Sequence, residues 1–140
     1  TRVCRPGTVE ATAICELHSY DGVHHLVSTV EGELSAESTP MMALLASFPP
    51  GSITGAPKLR SIELIADIEE TPRGPYTGTM FYESPRGRLD SNVLIRTACL
   101  SDGVVRYGTG GAVVADSEPQ EEYREALVKA RPFVEAIEGE

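Results

Sequence analysis

The run Pro49-Pro50-Gly51-Ser52-Ile53-Thr54-Gly55-Ala56-Pro57-Lys58 constrains the fold more than any other stretch of the chain. Prolines and glycines at this density bar a long strand or helix from crossing it. The residues that follow, Leu59-Arg60-Ser61-Ile62-Glu63-Leu64-Ile65-Ala66-Asp67-Ile68, read as a helix. A helix that starts there aims its free N–H groups and the positive end of its dipole into the loop. That arrangement suits an anion. It equally suits a plain cap, with Thr54 or Ser52 at the N-cap and Pro57 in the first turn. The loop is not a Walker A loop, which needs Gly, four residues, then Gly-Lys-Ser/Thr.

On both sides of this loop the pattern alternates between strand and helix. Residues 8–17 mix β-branched and small side chains and predict a strand. Tyr20-Asp21-Gly22 predicts a turn, and 23–34 begins as a second strand. After a polar linker at 35–40, the run 41–48 predicts a short, buried apolar helix. The helix behind the Pro/Gly loop spans about 57–70, with Leu59, Ile62, Ile65 and Ala66 on one face and Leu64 and Ile68 widening it. Three strands follow, 76–83, 89–100 and 104–114, joined by turns at Ser84-Pro85-Arg86-Gly87 and Ser101-Asp102-Gly103. Such tight turns predict an antiparallel meander. A last helix covers 120–138, where Pro132 should kink or divide it. Strands, helices, strands, then a helix favour an α+β domain with antiparallel sheet over a doubly wound one.

Charge narrows the partners. The 140 residues carry a formal net charge of −9 and no basic stripe, which argues against nucleic-acid binding. An anionic ligand would therefore need a locally positive pocket. No apolar run reaches membrane-spanning length and no signal peptide is visible, so no membrane partner is expected. Thr1 is not an initiator residue, which fits a start within a longer protein. Cys4, Cys15 and Cys99 are odd in number and in no metal spacing. They read as reduced thiols in a cytoplasmic protein.

Arg96 is the most informative single charge. On a regular strand it shares a face with Leu94, Ala98 and Leu100. A guanidinium there needs an anionic partner. The partner is either a carboxylate ligand held bidentately or an internal Asp or Glu, unless Arg96 sits at a strand edge and reaches solvent. The glycine-rich strand end Tyr107-Gly108-Thr109-Gly110-Gly111 can form an anion-binding nest or simply allow tight packing. On the last helix, Tyr123, Ala126, Leu127, Ala130, Val134 and Ile137 form the apolar stripe, flanked by Glu122 and Lys129, with Glu125 further round. Glu122 and Glu125 suit a hard cation beside Lys129. They suit equally a solvated face with a Glu125–Lys129 ion pair. His24 and His25 point to opposite faces of their strand, and either can act as acid, base or donor near neutral pH.

Taken in order, the segments 24–32, 48–58, 95–97 (Ile-Arg-Thr), 110–117 (Gly-Gly-Ala-Val-Val-Ala-Asp-Ser) and Glu122-x-x-Glu125-x-x-x-Lys129 form a far more specific pattern. Over nearly its whole length the chain resembles the chorismate-utilising enzymes. The resemblance implies two packed antiparallel sheet layers flanked by helices, with 1–140 as the C-terminal segment of a longer catalytic domain. Arg96 and Tyr76 would hold the pyruvyl carboxylate, helped by the backbone at Gly110 and Gly111 and by Lys129. Glu122 and Glu125 would be ligands of Mg²⁺, His25 would sit near the leaving hydroxyl, and Ser52, Thr54 and Gly55 would line the pocket. The Ser-Ile-Thr wording of the central loop resembles most the aminodeoxychorismate synthase component I branch. That branch converts chorismate and ammonia, supplied from glutamine by an amidotransferase subunit or fused domain, to 4-amino-4-deoxychorismate for folate synthesis. The anthranilate and the isochorismate or salicylate branches stay open. So does a non-catalytic α+β module that binds a small carboxylate or a protein. Ala112 stands where the family commonly has a third glycine. The family's upstream lysine segment and a further Mg²⁺-binding glutamate are not in these 140 residues, so no turnover is expected from them alone.

Overall fold

A computed structural model describes residues 2–20 and 23–139. They form an α+β arrangement of two-stranded antiparallel sheets and four helices. The chain divides into two compact units, one comprising 2–48 and 84–89, the other 49–83 and 90–139.

The first unit is built on the hairpin of β1 (Glu10–Tyr20) and β2 (Val23–Glu31). The turn expected at Tyr20-Asp21-Gly22 lies outside the described residues at Asp21 and Gly22. The pairing runs from Glu10↔Glu31 to Tyr20↔Val23, with shifts between Ala11 and Ala13 and between Ala13 and Glu16. The second shift has a visible cause. Cys15 adopts a left-handed φ of 51°, and its N–H donates to the side-chain hydroxyl of Ser28 on the facing strand at 3.0 Å rather than to a backbone carbonyl. A single bulge re-aims every side chain beyond it. Helix α1 (Pro40–Ser47) starts one residue before the expected 41–48, with Thr39 accepting from the Met42 N–H and Pro40 opening the first turn. The burial expected for this helix is not found: none of its residues is fully buried, and Leu45 is 69% exposed.

In the second unit the Pro/Gly run folds differently from a simple cap. Gly51–Thr54 form a one-turn helix, α2, and Gly55 follows at φ 107°. Helix α3 (Lys58–Ile68) then begins after a cis Ala56–Pro57 bond, with Pro57 itself at the N-cap and no side-chain cap bond. Thr54 turns back instead, its hydroxyl donating to the Pro50 carbonyl at 3.1 Å. Neither Ser52 nor Thr54 therefore caps α3.

The three-stranded meander is also corrected. β3 (Phe81–Glu83) pairs with β4 (Leu89–Ser91), and β5 (Ala98–Ser101) pairs with β6 (Val104–Tyr107) as a separate hairpin. Asp102 and Gly103 both take left-handed φ, 53° and 74°, the twist a two-residue hairpin turn requires. The strand expected at 89–100 breaks between β4 and β5, where Ile95 N–H bonds to Val93 carbonyl at 2.9 Å and Arg96 has φ 50°. Leu94 lies inside this break and, at 9% exposure, is the buried apolar side chain among the described residues.

Helix α4 (Pro119–Glu138) passes through Pro132 as one undivided element. Its packing is not the one the hydrophobic period suggests. Tyr123, Leu127, Val134 and Ile137 are 67%, 52%, 44% and 62% exposed. The half-buried positions are Glu122, Ala126, Lys129, Ala130 and Phe133, a stripe that shares Ala126 and Ala130 with the expected one but is rotated toward Glu122, Lys129 and Phe133. That stripe is held by specific contacts to the end of β6 and the residues just after it. Tyr107 stacks on Phe133, ring centroids 4.2 Å apart and 4° from parallel. The Thr109 hydroxyl donates to the Ala126 carbonyl at 3.0 Å.

Candidate functional site

The 107–111 segment and α4 meet around three glycines. A Cβ at Gly108 would lie 2.3 Å from Cγ of Tyr76, so only glycine lets the tyrosine ring lie against this backbone. A Cβ at Gly110 would stand 3.2 Å from the Tyr76 hydroxyl. A Cβ at Gly111 would stand 3.0 Å from Glu122 Oε2 and 3.6 Å from Glu125 Oε1. None of Gly108, Gly110, Gly111 or Ala112 has a positive φ, so the alternating right- and left-handed nest that the glycine run allows is not formed. The glycines permit close approach instead, and an alanine at 112 meets no left-handed requirement.

Lys129 ties the cluster together. Its ammonium donates to Glu125 Oε1 at 2.5 Å and to the Gly110 carbonyl at 3.3 Å. Glu122 is held separately, its Oε1 accepting from the Ser117 hydroxyl at 2.5 Å. Tyr76, Gly110, Gly111, Glu122, Glu125 and Lys129 thus stand together. Arg96 is on the neighbouring segment: the Thr77 N–H donates to the Leu94 carbonyl at 2.9 Å, which lays 76–78 beside 94–96. The Arg96 guanidinium is exposed and forms no ion pair among the described residues. It is not on an apolar strand face as the alternation suggested, because the strand is broken at this point. Ser52, Thr54 and Gly55 remain apart in their hydrogen bonding, those of Thr54 and Gly55 closing within 50–55. His25 belongs to the first unit, where it is exposed and meets the Tyr20 ring edge-on at 5.9 Å.

Tyr76 is itself carried by a clamped turn. Arg73 grips Glu69 through two parallel bonds, Nε to Oε2 at 2.8 Å and Nη2 to Oε1 at 2.5 Å, and reaches the Thr77 hydroxyl with Nη1 at 3.3 Å. These hydrogen bonds hold the Glu69 carboxyl below its ordinary pKa and raise that of Arg73, partly opposed by burial in each case. Thr77 holds a left-handed φ of 65°, which a β-branched residue tolerates only under local constraint. The sequence assigns no individual role to Gly108, Thr109 or Ser117. Ser117 stands in the Ala-Asp-Ser motif, and its partner is set only in three dimensions.

Two carboxylates around one point, beside an ammonium, can accept a cation and an anion side by side. The oxygen donors suit a hard divalent ion such as Mg²⁺, which commonly takes one or two carboxylates and completes its shell with water or substrate oxygens. Among the described residues no group of three or more His, Cys, Asp or Glu side chains is gathered for a metal. The pair Glu122 and Glu125 is therefore what this segment offers.

The model of the chorismate binding enzymes matches residues 1–135. The chain belongs to this chorismate-binding family. It is 44% identical over 137 residues to the aminodeoxychorismate synthase of Streptomyces griseus, covering 98% of this chain and 19% of that protein. It is 46% identical over 136 residues to anthranilate synthase component 1 of Mycolicibacterium smegmatis, covering 97% of this chain and 26% of that protein. Among solved structures, anthranilate synthase component I of Streptococcus pneumoniae superimposes with a TM-score of 0.83 at 37% identity. That superposition covers 93% of this chain and 30% of the other. The chain thus spans less than a third of the length of each of these relatives, and its α+β arrangement is the family's.

Proposed function

We propose that this segment forms the carboxylate-binding side of a chorismate site in a longer catalytic domain of which it is the C-terminal part. The observation that carries the reading is the cluster of Tyr76, Gly110, Lys129, Glu125, Gly111 and Glu122, within a chain whose family match runs almost end to end. Chorismate carries two carboxylates. Arg96 and Tyr76 are suited to one of them, with Lys129 adding positive charge beside the Gly110 backbone. Glu122 and Glu125 would hold Mg²⁺, which when bound neutralises the second carboxylate and supplies Lewis acidity. His25 would donate a proton to the departing hydroxyl, and Ser52, Thr54 and Gly55 would line the ring.

The reaction we assign is the exchange of the C4 hydroxyl of chorismate for ammonia, giving 4-amino-4-deoxychorismate for folate synthesis in the cytoplasm. A glutamine amidotransferase, as subunit or fused domain, would provide the ammonia. Anthranilate formation is the second reading, favoured by the 46% identity to an anthranilate synthase component. Incubating the full-length protein with chorismate, ammonium and Mg²⁺ separates them. 4-Amino-4-deoxychorismate is the expected product. Anthranilate with pyruvate would move the chain to the second branch, and isochorismate would overturn both.

A further inference from the structure

Tyr76 sits in two overlapping turns. Its own N–H donates to the Arg73 carbonyl at 3.2 Å, and the Gly78 N–H donates to the Pro75 carbonyl at 2.9 Å. The turns pass through left-handed backbone at Gly74, φ 60°, and at Thr77, φ 65°. Glycine adopts that conformation freely, whereas threonine holds it only under constraint. Gly78 has no room for a side chain, since a Cβ there would lie 2.8 Å from the Pro75 carbonyl oxygen. Past Tyr76 the chain is tied to its neighbour, Thr77 N–H to the Leu94 carbonyl and Leu94 N–H to the Gly78 carbonyl, both at 2.9 Å.

Arg73 brackets the tyrosine from outside. Its Nε and Nη2 are committed to the two oxygens of Glu69, the C-cap residue of α3, which fixes the plane of the guanidinium. Its Nη1 then reaches the Thr77 hydroxyl at 3.3 Å. One planar group therefore holds the side chain that follows Tyr76, while its own carbonyl holds the Tyr76 N–H. The phenol ring lies against Gly108, and its hydroxyl, near Gly110, has no hydrogen-bond partner among the described residues. That hydroxyl is free for a ligand, and its place depends on the turn beneath it. Misplacing a binding group by about 1 Å can cost a hundredfold in rate.

We infer that Arg73 is a positioning residue for substrate binding: it acts through the Thr77 hydroxyl to hold the Tyr76 phenol where a ligand carboxylate meets it. The inference deepens the function proposed above and rests on the carboxylate role given there to Tyr76.

The test is steady-state kinetics of the full-length protein with chorismate, ammonium and Mg²⁺, read as KM against kcat. Loss of a group that binds ground state and transition state alike raises KM and leaves kcat unchanged. A hydrogen bond to a charged group is worth roughly ten- to a hundredfold in affinity, so Tyr76→Phe should raise KM about tenfold or more. Arg73→Lys keeps the charge but loses the fork, and should raise KM by up to about tenfold with kcat unchanged. Thr77→Val removes only the acceptor and should act in the same direction; Thr77→Ser keeps it and should restore the wild-type KM. Because Arg73 acts through Tyr76, Arg73→Lys should add nothing to KM in a Tyr76→Phe background. If Arg73 only closes the end of α3, Arg73→Lys would lower the urea midpoint and leave KM unchanged; that result overturns the inference while Tyr76→Phe still binds weakly. A further rise of KM in the double variant, or a KM in Thr77→Ser no better than in Thr77→Val, also overturns it. Wild-type KM in Tyr76→Phe would remove the carboxylate role of Tyr76 itself, and the inference with it.

Discussion

Arg73 and Glu69 form a bidentate pair across the end of α3, and Arg73 also reaches Thr77, on the other side of Tyr76. The pair couples the end of a helix to the turn that carries a site residue. Arg73 keeps 26% of its side-chain surface exposed and Glu69 38%, so solvent screens the pair. A contribution near the upper end for exposed pairs, about 1 kcal/mol, is expected from its two-pronged geometry.

The pH dependence follows from the lowered Glu69 pKa. A carboxylate depressed in the folded state stabilises above its unfolded value, here the ordinary 4.5, and that stability is lost as pH falls through the folded value. Glu69→Gln should therefore have a lower urea midpoint than wild type at pH 7. The gap should narrow as pH drops below 4.5. A gap that stays constant into acid would show that Glu69 acts through shape and not charge.

Gly108 has no room for a methyl group while Tyr76 stays in place. Overpacking of this kind typically costs about 1–3 kcal/mol, so Gly108→Ala should lower the unfolding free energy measured in urea by that much. In a Tyr76→Ala background the same change should cost less, with a coupling of about 0.5–3 kcal/mol between the two positions. Additive effects would mean that Gly108 accommodates something other than the ring.

Arg96 holds a backbone conformation that penalises an L-residue by roughly 1–2 kcal/mol. Arg96→Gly should remove that strain and leave the urea midpoint equal or higher. The same variant should bind chorismate at least tenfold more weakly, since hydrogen bonds to charged groups contribute about 1.5–3 kcal/mol. Calorimetry on the full-length protein measures this directly. Undiminished affinity would take Arg96 out of the site.

Lys129 joins Glu125 to the Gly110 carbonyl. Lys129→Met should raise KM for chorismate roughly ten- to a hundredfold, by the same energy of a charged hydrogen bond. An unchanged KM with reduced kcat would place the ammonium at the departing group instead of the carboxylate.

The α+β character, most elements and both Gly-containing turns after β3 and β5 are legible from residues 8–107, because β-branched runs, Asp-Gly and Ser-Pro-Arg-Gly act locally. The Pro/Gly loop announces an interruption equally well, although its one-turn helix and the position of Pro57 depend on how the whole loop closes. The three- and four-residue spacing of Glu122, Glu125 and Lys129 is enough to put them near one face of a helix. What sequence alone determines, then, is what the chain does over a few residues, together with the order of its motifs.

Other features are decided only in three dimensions. The apolar stripe of α4 predicts one packed face, yet the half-buried face keeps only its Ala126 and Ala130 and adds Glu122, Lys129 and Phe133. Tyr107 stacking on Phe133 and Thr109 bonding to Ala126 select it, and both come from a segment a dozen or more residues away. The break that turns Arg96 out of its strand follows from Leu94 bonding to Thr77 and Gly78. The glycines at 108, 110 and 111 matter for what approaches them, not for their own φ. Period and propensity describe a segment's own preferences; which face is used, and which donor meets which carboxylate, is fixed by contacts between segments far apart in the chain.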